Sequence, residues 1–484
     1  MLSAELLSAF LEIVGPRGLI TAQNQLQTYE CDGLTAFREA PSAVLLPETT
    51  GQVQAILRLC TRHKVPFVAR GAGTGLSGGA LPTQGSIVIG FSRMTKILNV
   101  DLVNHQITVQ PGVINANVTV AVAGAGFFYA PDPSSQTVCT IGGNVAENAG
   151  GAHCLKYGFT VTHVLEATVV LPSGELVTLG SKSPDAPGYD LLGVFIGSEG
   201  TLGIATEMTL RIVRKPEAIQ VLLAAFPSIS AAAQTVSDII AAGLLPSAME
   251  IMDRLAIVAA EAAVHPQYPM CDGLLIVEVD GPLAEVKLQA EQVLELCRKN
   301  GAIETRHAID EGDRLLIWKG RKAAFAAAGR LSPNYIVQDG VIPRTTLPVV
   351  LEKIAAMANA EGLRVTNVFH AGDGNLHPIV LYRRDNPGEE ERAIDLSMRI
   401  LDLCVETGGS ITGEHGVGRE KQCSMSYMYA PADLATMQRV RRAFDPDNIA
   451  NPEKLFPTPR LCGEQKRGHY VPHPVEASGI AEVF

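Results

Sequence analysis

The stretch VARGAGTGLSGGALP (68–82), set directly behind the apolar run VPFVA (65–69), limits the fold more than any other feature of the sequence. Gly73, Gly75 and Gly78 stand in the G-x-G-x-x-G spacing of a dinucleotide fingerprint. That fingerprint needs a helix opening directly behind the glycines and an acidic residue at the end of the next strand. Here GALPTQGS follows Gly78, too rich in glycine and proline to propagate a helix. The next strand, SIVIGF (86–91), ends on Phe91, and the first acid after the glycines is Asp101. A Rossmann dehydrogenase using NAD is thereby ruled out. What remains is a loop that can turn many backbone N–H groups toward an anion, with the Thr74 and Ser77 hydroxyls beside them.

Two further segments share this texture. APDPSSQTVCTIGGNVAENAGG (130–151) combines paired glycines with small hydroxyl residues and with Asn144 and Asn148. GSEGTLGIATE (197–207) is the third. A plain tight turn would account for one such loop, not for three. Three Gly/Ser/Thr/Asn loops beside strands suit a large extended ligand carrying phosphates and a polar ring edge, which describes FAD better than a mononucleotide.

The rest of the chain reads as α+β with two main domains. Strand–helix–strand (SAVLLP, 42–47; TGQVQAILRLCTRH, 50–63; VPFVA) opens the first, with Thr50 as a possible N-cap. After LRIVRKPEA (210–218) longer α/β units begin, so the predicted divisions are 1–217, 218–420 and a returning C-terminal segment with a tail, 421–484. Leu6, Leu7, Phe10, Leu11 and Val14 follow helical spacing near the N-terminus, and no basic leader precedes them. No apolar run reaches the ~18 residues of a membrane span. With 39 Lys+Arg against 50 Asp+Glu, the charge of −11 gives nucleic acid no basic face. Nine irregularly spaced cysteines without C-x-x-C argue against a disulfide framework or an iron–sulfur cluster held by this chain alone, and point to the cytoplasm.

The sharper chemistry lies in VTNVFHAGDGNLHPIVLY (365–382). Asp-Gly is a strong hairpin signal. If Asp373 and Gly374 form a two-residue loop, His370 stands directly opposite His377, on the same face and ~5 Å away. Two imidazoles so placed can share one divalent cation. GGSITGEHGVGREK (408–421) offers Glu414 and His415 among glycines that permit a close approach of the backbone. Glu414 would complete a 2-His-1-carboxylate set with open positions for substrate, and His415 would then serve as a base.

These loops resemble the FAD-binding domain of the vanillyl-alcohol oxidase/p-cresol methylhydroxylase superfamily. The resemblance implies a two-subdomain FAD-binding domain joined to an α+β cap domain with an antiparallel sheet. It also implies cofactor contacts at Arg70, Gly71, Ala72, Gly73, Thr74, Gly75, Leu76, Ser77 and Gly78. Further contacts would come from Pro131, Asp132, Ser135, Gly142, Gly143, Asn144, Asn148, Gly150, Gly200, Gly203, Ile204 and Asn451. Covalent members carry a histidine in the first loop. None stands between Arg70 and Leu81, so non-covalent FAD is expected, with His153 the nearest histidine of the second loop.

YECDGLTAF, GRKAAF, GRLSPNY and FDPDNIANPEK, with the two histidine motifs, are similar to the D-2-hydroxy-acid dehydrogenase branch of that superfamily, in particular to catalytic subunits of the bacterial glycolate oxidase type. The histidine-bearing tail GHYVPHPVEASGIAEVF looks similar too. By this resemblance His370, His377 and Glu414 bind one divalent metal (Zn, Mn or Fe), His415 is the general base, and Arg321 holds the substrate carboxylate. NYIVQ (334–338) has no cation where relatives taking dicarboxylates carry a lysine, which favours a small monocarboxylate. The implied reaction is glycolate to glyoxylate, or D-lactate to pyruvate. The implied partners are a second flavin-type subunit and an iron–sulfur subunit, with contact to the inner face of the cell membrane only through them. A metallohydrolase without flavin would have no use for three cofactor loops, and a non-catalytic flavin-binding companion would lack the metal set.

Overall fold

Val53, Ile56, Leu57 and Cys60 recur at helical spacing, and the helix Thr50–His63 buries all four. Its N-cap is Thr49 rather than Thr50: the Thr49 hydroxyl accepts from the Gln52 N–H at 3.2 Å. The computed structural model describes residues 2–183, 186–458 and 462. The tail 468–484 lies outside them. Contacts divide the chain into two units with separate cores, one of Met1–Ala149, Phe159–Arg214 and His415–Phe484, the other of Gly150–Gly158 and Lys215–Glu414.

In the first unit Ala43–Leu45, Ile87–Gly90 and Phe67–Arg70 pair in parallel, with Leu19–Ile20 antiparallel at one edge. A second, antiparallel sheet runs Ile97–Asp101, Gln106–Val109, Ile204–Arg211, Val164–Val170, Leu176–Gly180. The N-terminal helix Ala4–Val14 buries Leu6, Phe10 and Val14. No regular element occupies 71–86, as the proline and glycine content requires. The second glycine-rich segment is not all loop: Ile141–Glu147 is a helix whose Thr140 N-cap accepts from Gly143 N–H at 3.4 Å. Cys423 and Cys462 form a disulfide with Cα atoms 5.4 Å apart, a pairing that the irregular cysteine spacing did not announce.

The second unit is built on an antiparallel sheet in the order Glu304–His307, Ala218–Phe226, Gly273–Gly281, Ala248–Asp253, Arg364–His370, Asn375–Leu376, Gly340–Val341. Strand Pro378–Tyr382 joins Arg364–His370 to Asn334–Val337. Side chains alternate across the sheet. Leu222, Ala224 and Phe226 enter the core with helices Ile229–Ala241, Leu283–Lys299, Leu347–Ala360 and Glu389–Glu406. Val221, Leu223 and Ala225 face the helices Arg254–Val264 and Glu311–Ala327. On Ala248–Asp253 the same alternation sends Met249 and Ile251 to the first layer, and Ala248 and Met252 to the second. Glu250 thus shares a face with the second set, a carboxylate on the apolar side of a buried strand. Among the described residues no helix is long and apolar enough to cross a membrane.

Candidate active site

The glycine-rich segments of the first unit meet at one cavity. Arg70, Gly71, Gly142, Gly143, Gly200, Gly203 and Ile204 line it, together with Thr140 and Ser198. The glycines are needed here for space: a Cβ on Gly142 would stand 2.6 Å from Pro111 Cβ. Bare backbone on three sides with hydroxyls between is a wall that a pyrophosphate can approach.

Residues of the first loop also bond to other parts of the chain. The Arg70 guanidinium donates to Cys31 O at 2.7 Å and lies 5.6 Å from the Tyr29 ring. Asp32, beside it, also accepts from Leu34 N–H at 2.9 Å, which gives the ECDG motif its structural role. Ser77 O accepts the N–H groups of Arg419 and Glu420 at 2.9 and 3.0 Å. Ala72 through Gly78 are not among the residues lining this cavity. Pro131, Asp132, Ser135, Asn144, Asn148 and Asn451 are absent too. Asn144 accepts from Asn115 Nδ2 at 3.0 Å, Asn148 from Val161 N–H at 2.9 Å, and Asn451 Nδ2 donates to Gly79 O at 2.8 Å. Gly150 belongs to the second unit.

In that unit the two histidines meet through a register different from the expected one. His370 pairs with Asn375, and Asn367 with Pro378, so residues 371–374 form a four-residue loop and His377 falls opposite Val368. The shift is by two residues, which keeps the facing side of the pleat. His370 and His377 become diagonal neighbours with ring centroids 5.3 Å apart. Each Nδ1 has a partner of its own: Glu250 Oε1 at 2.7 Å from His370, and Gln338 O at 3.3 Å from His377. That orients both Nε2 atoms toward Glu414 Oε1, 3.3 Å from His370 and 3.1 Å from His377. Two ligand atoms held about 2.1 Å from a common ion are about 3.0 to 3.4 Å apart, depending on the angle, so these two separations are compatible with a shared divalent cation, and all three ligand atoms lie within 4.8 Å of one another. Outer bonds of this type fix the tautomer and ring direction of metal-binding histidines.

Glu414 is placed by Asp339. Its carboxylate accepts from Thr412 Oγ1 at 2.5 Å, Gly413 N–H at 3.0 Å and Glu414 N–H at 3.2 Å. A Cβ on Gly413 would lie 2.5 Å from the Asn375 amide carbon, so the loop can come this close only with glycine there. Burial alone would raise the Glu414 carboxyl, but His370 and His377 outweigh it and hold it well below the usual range. Burial would likewise depress His370, yet Glu250 and Glu414 prevail and raise it. Arg321, 5% exposed on helix Glu311–Ala327, donates from Nε to Glu250 Oε2 at 2.6 Å. Glu250 thereby joins the arginine to the metal-type histidine. His153 is engaged elsewhere in this unit, 2.9 Å from Glu278.

A model of an FAD binding domain matches residues 41–180, and the model described as FAD linked oxidases, C-terminal domain, matches 215–455. The chain is 49% identical to glycolate oxidase subunit GlcD of Escherichia coli K12, across 95% of this chain and 92% of that protein. The chain belongs to the FAD-linked oxidases. This FAD-linked oxidase is also 38% identical to GlcD of Bacillus subtilis (94% and 97% covered) and 32% identical to a D-lactate dehydrogenase of Anaerostipes hadrus (93% and 97%). Its fold is that of p-cresol methylhydroxylase, with a TM-score of 0.78 at 19% identity over 93% of this chain and 96% of that one. The fold class expected from the loops is therefore the one found, and the protein is an FAD-dependent oxidoreductase.

Sequence reasoning passed over Glu250, Asp339 and Thr140 in this FAD-linked oxidase. The first two had a signal: an acid inside SAMEIMD, and another ending NYIVQD, both in runs where apolar residues dominate.

Proposed function

We propose that this FAD-linked oxidase oxidises a small D-2-hydroxy acid to the 2-oxo acid, with glycolate the preferred substrate and D-lactate also accepted. Residues 1–217 would bind the flavin, 218–420 would carry a divalent cation (Zn, Mn or Fe) on His370, His377 and Glu414, and 421–484 would return to the flavin-binding part. The observation that carries the reading is the convergence of those three side chains, with Glu250 linking His370 to Arg321. Such a set has no use in a flavin protein that only shuttles electrons, but it suits an alcohol flanked by a carboxylate.

Arg321 would bind the substrate carboxylate. Glu250 takes its Nε–Nη2 edge, so the substrate meets the outer end of the guanidinium. His415 would accept the hydroxyl proton, a role its position next to Glu414 in the chain supports. The cation, when bound, would polarise that hydroxyl, and non-covalent FAD supplies the two-electron acceptor for the α-hydrogen. Asn334, Tyr335, Ile336, Val337 and Gln338 offer no cation for a second carboxylate, which supports a monocarboxylate. Because the 49% identical relative is named a subunit of glycolate oxidase, partner chains fit the reading: a second flavin-type subunit and an iron–sulfur subunit, which would also provide any contact with the membrane.

Anaerobic mixing of the yellow protein with glycolate, D-lactate and D-2-hydroxyglutarate tests the proposal. Glycolate should bleach the flavin fastest and D-lactate next. Bleaching by none of them would overturn it, and a D-lactate rate far above that of glycolate would favour a stand-alone D-lactate dehydrogenase.

A further inference from the structure

Glu199 stands in GSEG between Ser198 and Gly200, both of which line the flavin cavity. Its φ is +52°, a backbone conformation that non-glycine residues seldom adopt and that marks places where surroundings impose it. The side chain is 4% exposed and reaches the segment that follows His415. Its two oxygens accept from consecutive backbone groups, Val417 N–H and Gly418 N–H, each at 2.7 Å. Lys421, fully buried, donates to Gly416 O at 3.3 Å and is close enough to Glu199 to act on its charge. On the other side Asn451 Nδ2 donates to Glu199 O at 2.6 Å and to Gly79 O at 2.8 Å. Gly416 has φ +84°, and a Cβ there would lie 2.8 Å from Glu199 Oε1 and collide with Glu147 Oε2. All of these residues belong to the first unit.

A carboxylate spanning two successive N–H groups fixes both the position and the direction of the chain that carries them. The residues it holds are the second and third after His415. We propose that Glu199 is a positioning residue for the proton-accepting step: through Val417 and Gly418 it ties the backbone bearing His415 to the turn that lines the flavin cavity. This inference rests on the role given to His415 above.

The test uses the FAD-loaded protein and the isosteric variant Glu199→Gln, which retains volume but offers an amide where two acceptors are needed. Hydrogen exchange read by mass spectrometry over 410–422 should show Val417 and Gly418 exchanging at least about tenfold faster in the variant. Unchanged exchange there overturns the clamp, whatever the substrate proves to be. In anaerobic stopped flow with glycolate, the limiting rate of bleaching per bound flavin should fall on the order of 10- to 100-fold, as small misplacements of a reacting group do, with the half-saturating glycolate concentration little changed. Glu199→Gln added to His415→Ala should then cost no more than about twofold beyond His415→Ala alone. A per-flavin limiting rate within about twofold of the parent, or a fully additive double variant, refutes the positioning role. If glycolate fails to bleach the parent protein, the functional reading is what falls, and the exchange result still decides the clamp.

Discussion

Replacing Glu250 by glutamine removes one charge and adds two N–H donors at the centre of the cap-unit site. Glu250 is fully buried and accepts from Arg321 Nε at 2.6 Å and His370 Nδ1 at 2.7 Å. A glutamine can offer its single oxygen to one of them only. If it serves Arg321, the amide nitrogen faces His370 Nδ1, which must then act as acceptor, and the proton moves to Nε2, the atom directed at Glu414. Losing the outer carboxylate partner of a metal-binding histidine typically weakens metal affinity by about 10–100-fold. In either orientation the buried guanidinium loses its counter-charge, an event that costs about 3–5 kcal/mol when one partner of a buried pair is deleted outright. With its oxygen on Arg321 the amide recovers part of that as a neutral hydrogen bond, so the variant should fold. Titration of metal-depleted protein with zinc against a competing chelator reads the affinity directly, and circular dichroism checks the fold. A folded Glu250→Gln protein that binds zinc within about twofold of its parent would refute the role given to this carboxylate.

Other outcomes follow from the same geometry. His415→Ala should keep FAD and metal yet bleach about 10²- to 10⁴-fold more slowly with glycolate in stopped flow, the range for loss of a general base; full turnover would contradict the assignment. Dialysis against a strong chelator should leave the yellow colour and abolish rapid bleaching, with activity returning on addition of zinc or manganese; unaltered rates after verified metal removal would exclude the cation. Gly142→Val should yield colourless protein, because its Cβ would meet Pro111 where the cavity wall is formed; a normal flavin spectrum would count against this cavity. Burial raises the Glu199 carboxyl to about 7 from an ordinary 4.5, with the Val417 and Gly418 N–H groups pulling the other way, and burial together with the Glu199 charge raises the adjoining Glu147 carboxyl as well. A carboxyl raised on folding contributes its stability below about pH 4.5 and loses it as pH rises through about 7. Melting temperature should therefore decline more between pH 5 and 8 in the parent than in Glu199→Gln, and parallel curves would refute the shift.

The flavin half was readable because its devices are local. A strand followed by glycines that cannot open a helix, accompanied by two further glycine-rich segments, leaves few folds available. Side-chain traffic inside those loops was not readable, since Arg70, Asn144 and Asn148 make bonds to residues distant in the chain, such as Cys31, Asn115 and Val161. The histidine hairpin was legible as a hairpin but misjudged in register. Asp-Gly argues for a two-residue turn, whereas four residues, 371–374, form the loop, and only Gly374 of the pair has positive φ. Glu250 and Asp339 escaped notice because a lone acid in an apolar strand discloses its burial but not its partner, which tertiary packing alone supplies.

The register also decides what changes in length the hairpin could survive. Because neighbouring residues of a strand point to opposite faces, adding or removing two residues between His370 and His377 moves the rings along one face and leaves them on the same side. One residue more or fewer would turn a single imidazole to the opposite layer, among the apolar side chains of Phe369 and Leu376. Deletions and insertions in this loop are thus filtered by parity before composition matters, and libraries built to retune the site should vary it in even steps.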